Sequence, residues 1–150
     1  MAVRVQAPAF DSSRLLETLQ RESGGAGAVV VFVGLVRDFN HEGAVGELYL
    51  EHYPGMTEKA LLAIEREARA RWPLLAVEIV HRFGPLAPAE PIVFVGVGSA
   101  HRQAAFEGCA YIMDQLKTRA PFWKKESHGQ GGQWVEARPA DQAAARRWGR

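Results

Sequence analysis

Two stretches of the chain, residues 27–37 and 91–98, are almost wholly apolar and rich in Val, Ile and Phe. Strands of that composition are expected to be buried on both faces rather than wetted on one. Such strands need packed layers above and below their sheet, and amphipathic helices elsewhere in the chain can supply them. Residues 11–22 read as one helix: Asp11, Ser12 or Ser13 can cap it, Leu15, Leu16 and Leu19 share a face, and Gly24-Gly25 ends it. Residues 57–72 read as a second, with Leu61, Ile64 and Ala68 at helical spacing, Thr57 as cap and Pro73 as its stop. The longest spans residues 100–119 and is closed by Pro121.

Residues 47–53 alternate as a strand, with Leu48 and Leu50 on one face and Glu47, Tyr49 and Glu51 on the other. A further strand signal covers 76–83, where Val77, Ile79, His81 and Phe83 alternate. Residues 38–46, polar with two glycines, and the Pro-rich 84–91 read as loops. After Pro121, residues 122–126 and 133–137 flank a Gly-rich turn at 128–132, the pattern of a hairpin. Residues 140–148 form a short Ala- and Arg-rich helix. Helices alternate with strands, yet hairpins are present, so the expected architecture is a mixed-sheet α+β fold, one domain over residues 1–150.

The formal net charge is +1, which argues against a broad basic surface for nucleic acid. The one cysteine, Cys109, excludes an internal disulfide and a multi-cysteine zinc site. Histidines at 41, 52, 81, 101 and 128 have no metal-ligand spacing, so no metal or other cofactor is expected. No apolar run reaches membrane length and no secretory signal is visible, so a cytoplasmic protein without membrane contact is expected.

Three features can carry chemistry. Ser99-Ala100-His101-Arg102 opens the long helix, with Ser99 as expected N-cap. Free N–H groups, the helix dipole and the Arg102 fork suit a phosphate; the plain alternative is a helix cap with exposed His and Arg. The second feature is Lys117. Ala105, Cys109, Ile112 and Leu116 form the expected core stripe, and Cys109 reads as packing rather than as a nucleophile. Phe106, Ala110, Met113 and Lys117 form the neighbouring row, which makes Lys117 a candidate for partial desolvation and a lowered pKa. The plain alternative is a lysine complementing the helix C-terminus. The third is Ala120-Pro-Phe-Trp-Lys-Lys-Glu126, which with Lys117 and Arg119 sets four cations beside two aromatics. That grouping suits a flat anionic ligand, or equally a solvated hairpin edge. Arg37, closing an apolar strand, is a weaker candidate.

Several strings together resemble the large subunit of molybdopterin synthase: residues 27–37, Leu50-Glu-His-Tyr-Pro-Gly-Met-Thr57, His81-Arg82, Ser99-Ala-His-Arg102 and above all Leu116-Lys-Thr-Arg-Ala-Pro-Phe-Trp-Lys124. The resemblance covers about residues 27–148. It implies an α/β-hammerhead-type fold, with a mixed or antiparallel sheet and an added β-hairpin subdomain. It implies a homodimer at the centre of a heterotetramer, with a small ubiquitin-like sulfur carrier at each end. The carrier's C-terminal Gly-Gly thiocarboxylate would donate sulfur to cyclic pyranopterin monophosphate, in two rounds, to make the molybdopterin dithiolene. By motif match, Lys117 and Lys124 are the functional lysines, and Arg37, His101, Arg102, Lys125 and Glu126 line the substrate pocket. Leu35 departs from relatives that carry a basic residue there. Two other classes remain as alternatives: a module that stacks single-stranded nucleic acid on Phe122 and Trp123, and a purely structural homodimer.

Overall fold

The computed structural model describes residues 3–37, 48–127, 132–135 and 139–149. The expected loop at 38–46 lies outside these residues, as does most of the hairpin turn. The elements run β1 (Val3–Gln6), α1 (Ser12–Glu22), β2 (Ala28–Leu35), β3 (Leu48–His52), α2 (Met56–Arg71), β4 (Leu74–Arg82), β5 (Gly84–Leu86), β6 (Pro91–Ser99), α3 (Arg102–Arg119), β7 (Phe122–Ser127), β8 (Gly132–Val135) and α4 (Pro139–Arg146).

They build two four-stranded sheets. Sheet A has the order β1-β4-β6-β2, with β1 parallel to β4 and the other pairs antiparallel. Sheet B has the order β5-β3-β7-β8 and is antiparallel throughout. The mixed-sheet α+β expectation therefore holds, and β7–β8 is the added hairpin.

The main core lies between sheet A and helices α2 and α3. Leu61, Ile64 and Ala68 of α2 and Cys109, Ile112 and Leu116 of α3 pack with Val77, Ile79, Val93, Val95 and Val97. The other face of the sheet is covered by α1, whose Leu15 joins Val80 and Phe94. Gly96 allows that approach: a Cβ there would stand 2.6 Å from Leu19. A second, smaller core of Val36, Leu48, Leu50 and Leu86 lies at sheet B, with Ile92 and Phe122 packed on it. The C-terminal end is clasped to the α2–α3 side. The Trp148 indole donates to Asp114 Oδ2 (2.6 Å) and lies edge-on to Trp72 and Tyr111.

Local expectations were met in part. Asp11 caps α1, accepting from the Ser13 and Arg14 amides. Residue 57 is not the α2 cap. Gly55 takes that position at φ 87°, which favours glycine, and its N–H donates to the Glu58 carboxylate. Thr57 is buried as the second residue of the helix and donates its hydroxyl to Tyr53 O. Ser99 is not the α3 cap either. β6 runs through it, its hydroxyl donates to Pro73 O, and His101 stands at the cap without a side-chain bond. The segment 84–91, read as a loop, contains β5, an edge strand, which is where Pro85 costs no ladder bond. Finally, β2 is not buried on both faces. It is the last strand of sheet A, and Phe32 and Leu35 are 40% and 54% exposed.

Glu78 is buried within sheet A, and its Oε1 meets no hydrogen-bond partner among the described residues. Burial, aided by the Glu22 charge, pushes its carboxyl above the ordinary range. The folded state therefore holds this proton at pH values where the unfolded chain has released it. Stability then falls as pH rises from the ordinary carboxylate range through the raised value. Glu78→Gln should raise the melting temperature by about 3 °C at pH 8, from a relief of about 1 kcal/mol. The gain should disappear near pH 4, where both side chains are neutral; thermal scans across pH check this.

Candidate functional site

The long helix α3 has one row fixed in the core and, beside it, one that is half-buried in the middle and exposed at both ends. Ala105, Cys109, Ile112 and Leu116 are buried, whereas Phe106 is 60% exposed and Lys117 is exposed. The desolvation expected at Lys117 is thus not supplied by this chain alone. Lys117 occupies the last turn, where a cation complements the helix dipole.

The helix ends at Ala120, whose ψ of 134° is extended, and Pro121 cannot continue it. The Phe122 N–H donates to Ala120 O at 2.8 Å, a bond spanning two residues that makes the corner very tight. β7 starts immediately and pairs with β3, in a register that sets Lys124 opposite Leu50, Lys125 opposite Tyr49 and Glu126 opposite Leu48. The side chains of Lys124, Lys125 and Glu126 lie outside the described set, so only their backbone places are stated. Arg37, exposed, follows Val36, which belongs to the same small core as Leu48 and Leu50. Arg37 and the β7 lysine positions therefore adjoin one region through the Leu48–Leu50 segment.

Phe122 sits at the junction of the two sheets. The His81 ring of β4 stacks on it, centroids 3.7 Å apart and 17° from parallel. On sheet B, His52 is its register partner, with centroids 5.9 Å apart, and His52 also leans on Phe83 at 4.4 Å. Hydrogen bonds hold both imidazoles. His81 Nδ1 lies 2.8 Å from Arg82 O, which can only accept, so Nδ1 carries a proton. Thr57 gives its only hydroxyl proton to Tyr53 O, so His52 Nδ1, 3.0 Å from that hydroxyl, is again the donor. Sequence periodicity had no means of bringing 52, 81 and 122 together.

The expected group of four cations does not stay intact. Arg119 turns to α2 and forks onto Glu67, with Nη2 to Oε2 at 2.9 Å, and also donates to Gln115 Oε1 at 3.1 Å. That guanidinium, with the Tyr111 hydroxyl, holds the Glu67 carboxyl below its ordinary range, and Glu67 in turn holds Arg119 above its own. Arg119 is thus tied to the helix pair.

His101 and Arg102 are exposed at the start of α3. Fifteen residues separate Arg102 from Lys117 on one helix, about 22 Å at about 1.5 Å per residue. Both side chains tilt toward the helix N-terminus, so the tilt does not close that gap. The phosphate-suited helix start and the lysine corner of one chain therefore do not face each other. Among the described residues, no helix is long and apolar enough to cross a membrane.

The family model described as "MoaE protein" matches residues 5–119. The chain is 63% identical to the molybdopterin synthase catalytic subunit of Pseudomonas aeruginosa, over 99% of both. Its structure resembles the molybdopterin biosynthesis MoaE protein of Burkholderia ambifaria, with TM-score 0.84, 47% identity and 99% of each chain covered. It also shares its fold with a chain in the complex of subunits 1 and 2 of molybdopterin-converting factor from Helicobacter pylori. That likeness has TM-score 0.76, 21% identity and 91% coverage of each chain.

With relatives of that kind, the lone thiol is an obvious suspect for sulfur chemistry, and its surroundings argue against it. Cys109 is buried on α3, its Sγ lies 3.8 Å from Val95 O, and burial pushes its pKa up to about 11. At pH 8 the thiolate fraction falls about 100-fold relative to an ordinary thiol. Ellman's reagent should therefore label the native protein at least about 100-fold more slowly than the urea-unfolded chain. Equal rates would put Cys109 back among the candidates.

Proposed function

Since the chain belongs to the MoaE protein family, whose members transfer sulfur as molybdopterin synthase catalytic subunits, we propose that it does so at the corner joining α3 to β7. The sulfur donor is the C-terminal Gly-Gly thiocarboxylate of a small ubiquitin-like carrier subunit, and the acceptor is cyclic pyranopterin monophosphate. The product is the dithiolene of molybdopterin, on the path to the molybdenum cofactor. The observation that carries this reading is the Pro121 corner. It sets Lys117, at the end of a helix, within a few residues of Lys124, at the start of a strand. Lys117 stabilises the charge that develops as sulfur attacks the pterin side chain, or moves the accompanying proton. Lys124 holds substrate charge beside it, and Arg37, Lys125 and Glu126 line the same pocket.

Arg102 and His101 grip the phosphate through the start of α3. Their distance from Lys117 on the same helix means that they serve the site of another copy. A two-fold pair with antiparallel α3 helices sets one helix start against the partner's lysine corner. The exposed Phe106, continued by the half-buried Ala110 and Met113, and the exposed Phe32 of edge strand β2 offer the apolar surface for that pairing. The homodimer with a carrier at each end is the working heterotetramer, and its place of work is the cytoplasm.

Lys117→Ala should lower dithiolene formation at least about 100-fold, with a melting temperature within about 2 °C of wild type. Arg102→Ala should act mainly on KM, raising it about 10-fold. Below saturation, both variants are then slow alone. Mixed and allowed to exchange subunits, they should regain about one quarter of wild-type turnover, because half of the dimers carry one intact shared site. No gain on mixing would place both groups in one chain's site, against the shared-site reading.

A further inference from the structure

We propose that His81 is a positioning residue for sulfur transfer: stacked on Phe122, which His52 also touches, it steadies the corner that joins Lys117 to Lys124. This rests on the site proposed above and adds two residues to it. Three observations converge. The first is that the corner is short, and the ladder of β7 to β3 begins at Phe122 itself. Between the last residue of α3 and the first of β7 there are two residues, one of them a proline without an N–H, and Phe122 N–H bonds no further back than Ala120 O. What holds the Phe122 ring therefore acts, with the β3 ladder, on the direction in which β7 leaves the helix.

The second is that the ring is held from both sheets. His81 comes from β4 of sheet A and His52 from β3 of sheet B. The His81 stack is close to parallel, and His52 flanks the ring at its register position. The third is that both imidazoles are themselves fixed. His81 donates to the carbonyl of Arg82, and Arg82 is buried, with its guanidinium on Ala7 O and Pro91 O. His52 donates to Thr57, which is fully buried and bonded to Tyr53 O. A ring needed only for bulk does not require its two neighbours to be anchored in this way. An aromatic face at 81 keeps β7 in one orientation, which gives the preorganisation that charge stabilisation by a lysine demands.

The test compares His81→Ala with His81→Phe, which keeps a ring face but loses the imidazole nitrogens. The assay uses the full complex with carrier and pterin both saturating. His81→Ala should lower kcat about tenfold with KM for the pterin within twofold, and His81→Phe should recover at least half of wild-type kcat. Amide exchange across residues 122–125 should quicken in His81→Ala and not in His81→Phe. If His81→Ala does not fold, His81→Leu, with volume but no ring face, takes its place. Wild-type kcat and exchange in the alanine variant would overturn the proposal. So would a phenylalanine variant as slow as the alanine one, since stacking would then not be what matters. The two readings fail separately. Normal turnover in Lys117→Ala would remove the proposed site, whereas unchanged β7 exchange in His81→Ala would remove the clamp.

Discussion

The seat of α3 on sheet A is the constraint from which the rest follows. Its row of Ala105, Cys109, Ile112 and Leu116 is buried against β6 and β4, and Gly108 lets the helix come close: a Cβ there would be 3.2 Å from Leu74. Truncating a residue such as Ile112 to alanine would cost about 2–5 kcal/mol, a large share of the stability of a chain this size. A helix held that firmly cannot roll, so the directions of its exposed row and of its two ends are settled by the core. One end presents His101 and Arg102, the other Lys117, and the distance between them is a property of the helix itself.

In the proposed site, that rigidity divides the work between copies. A single chain offers a phosphate-suited helix start in one place and a lysine corner in another. Between them runs a row that begins with a strongly exposed phenylalanine, next to an edge strand that exposes another. A second copy would complete the proposed site and cover the apolar face on the same helix. The corner faces a different demand. It joins a helix of sheet A's layer to a strand of sheet B, and the ring of Phe122, touched by a histidine from each sheet, is where the two sheets meet.

Much of this was readable from periodicity. The buried row of α3 and the alternation of Leu48 and Leu50 rest on local repeats of 3.6 or 2 residues, the stops at Pro73 and Pro121 on the missing proline N–H, and each appears where expected. What failed depended on position in the sheet or on distant partners. β2 has the composition of a central strand but lies at the edge, because composition does not record which neighbour is missing. Ser99 looks like a cap, yet it spends its hydroxyl on Pro73 O, 26 residues away, a carbonyl that only the folded chain brings close. Arg119 sits among cations in the sequence and is neutralised by Glu67, 52 residues away. At the site, motif likeness pointed to the lysine corner, whereas the His52–Phe122–His81 contact spans three elements and leaves no local trace.

The central claim is that a tight proline corner brings two lysines to bear on one anion. It is tested most directly by a crystal structure of the chain bound to a carrier whose Gly-Gly tail ends in a thiocarboxylate. The account expects the Lys117 and Lys124 ammonium groups both within about 4 Å of that terminal group or of a pterin beside it. Side chains pointing apart into solvent, with the tail lodged elsewhere, would contradict it.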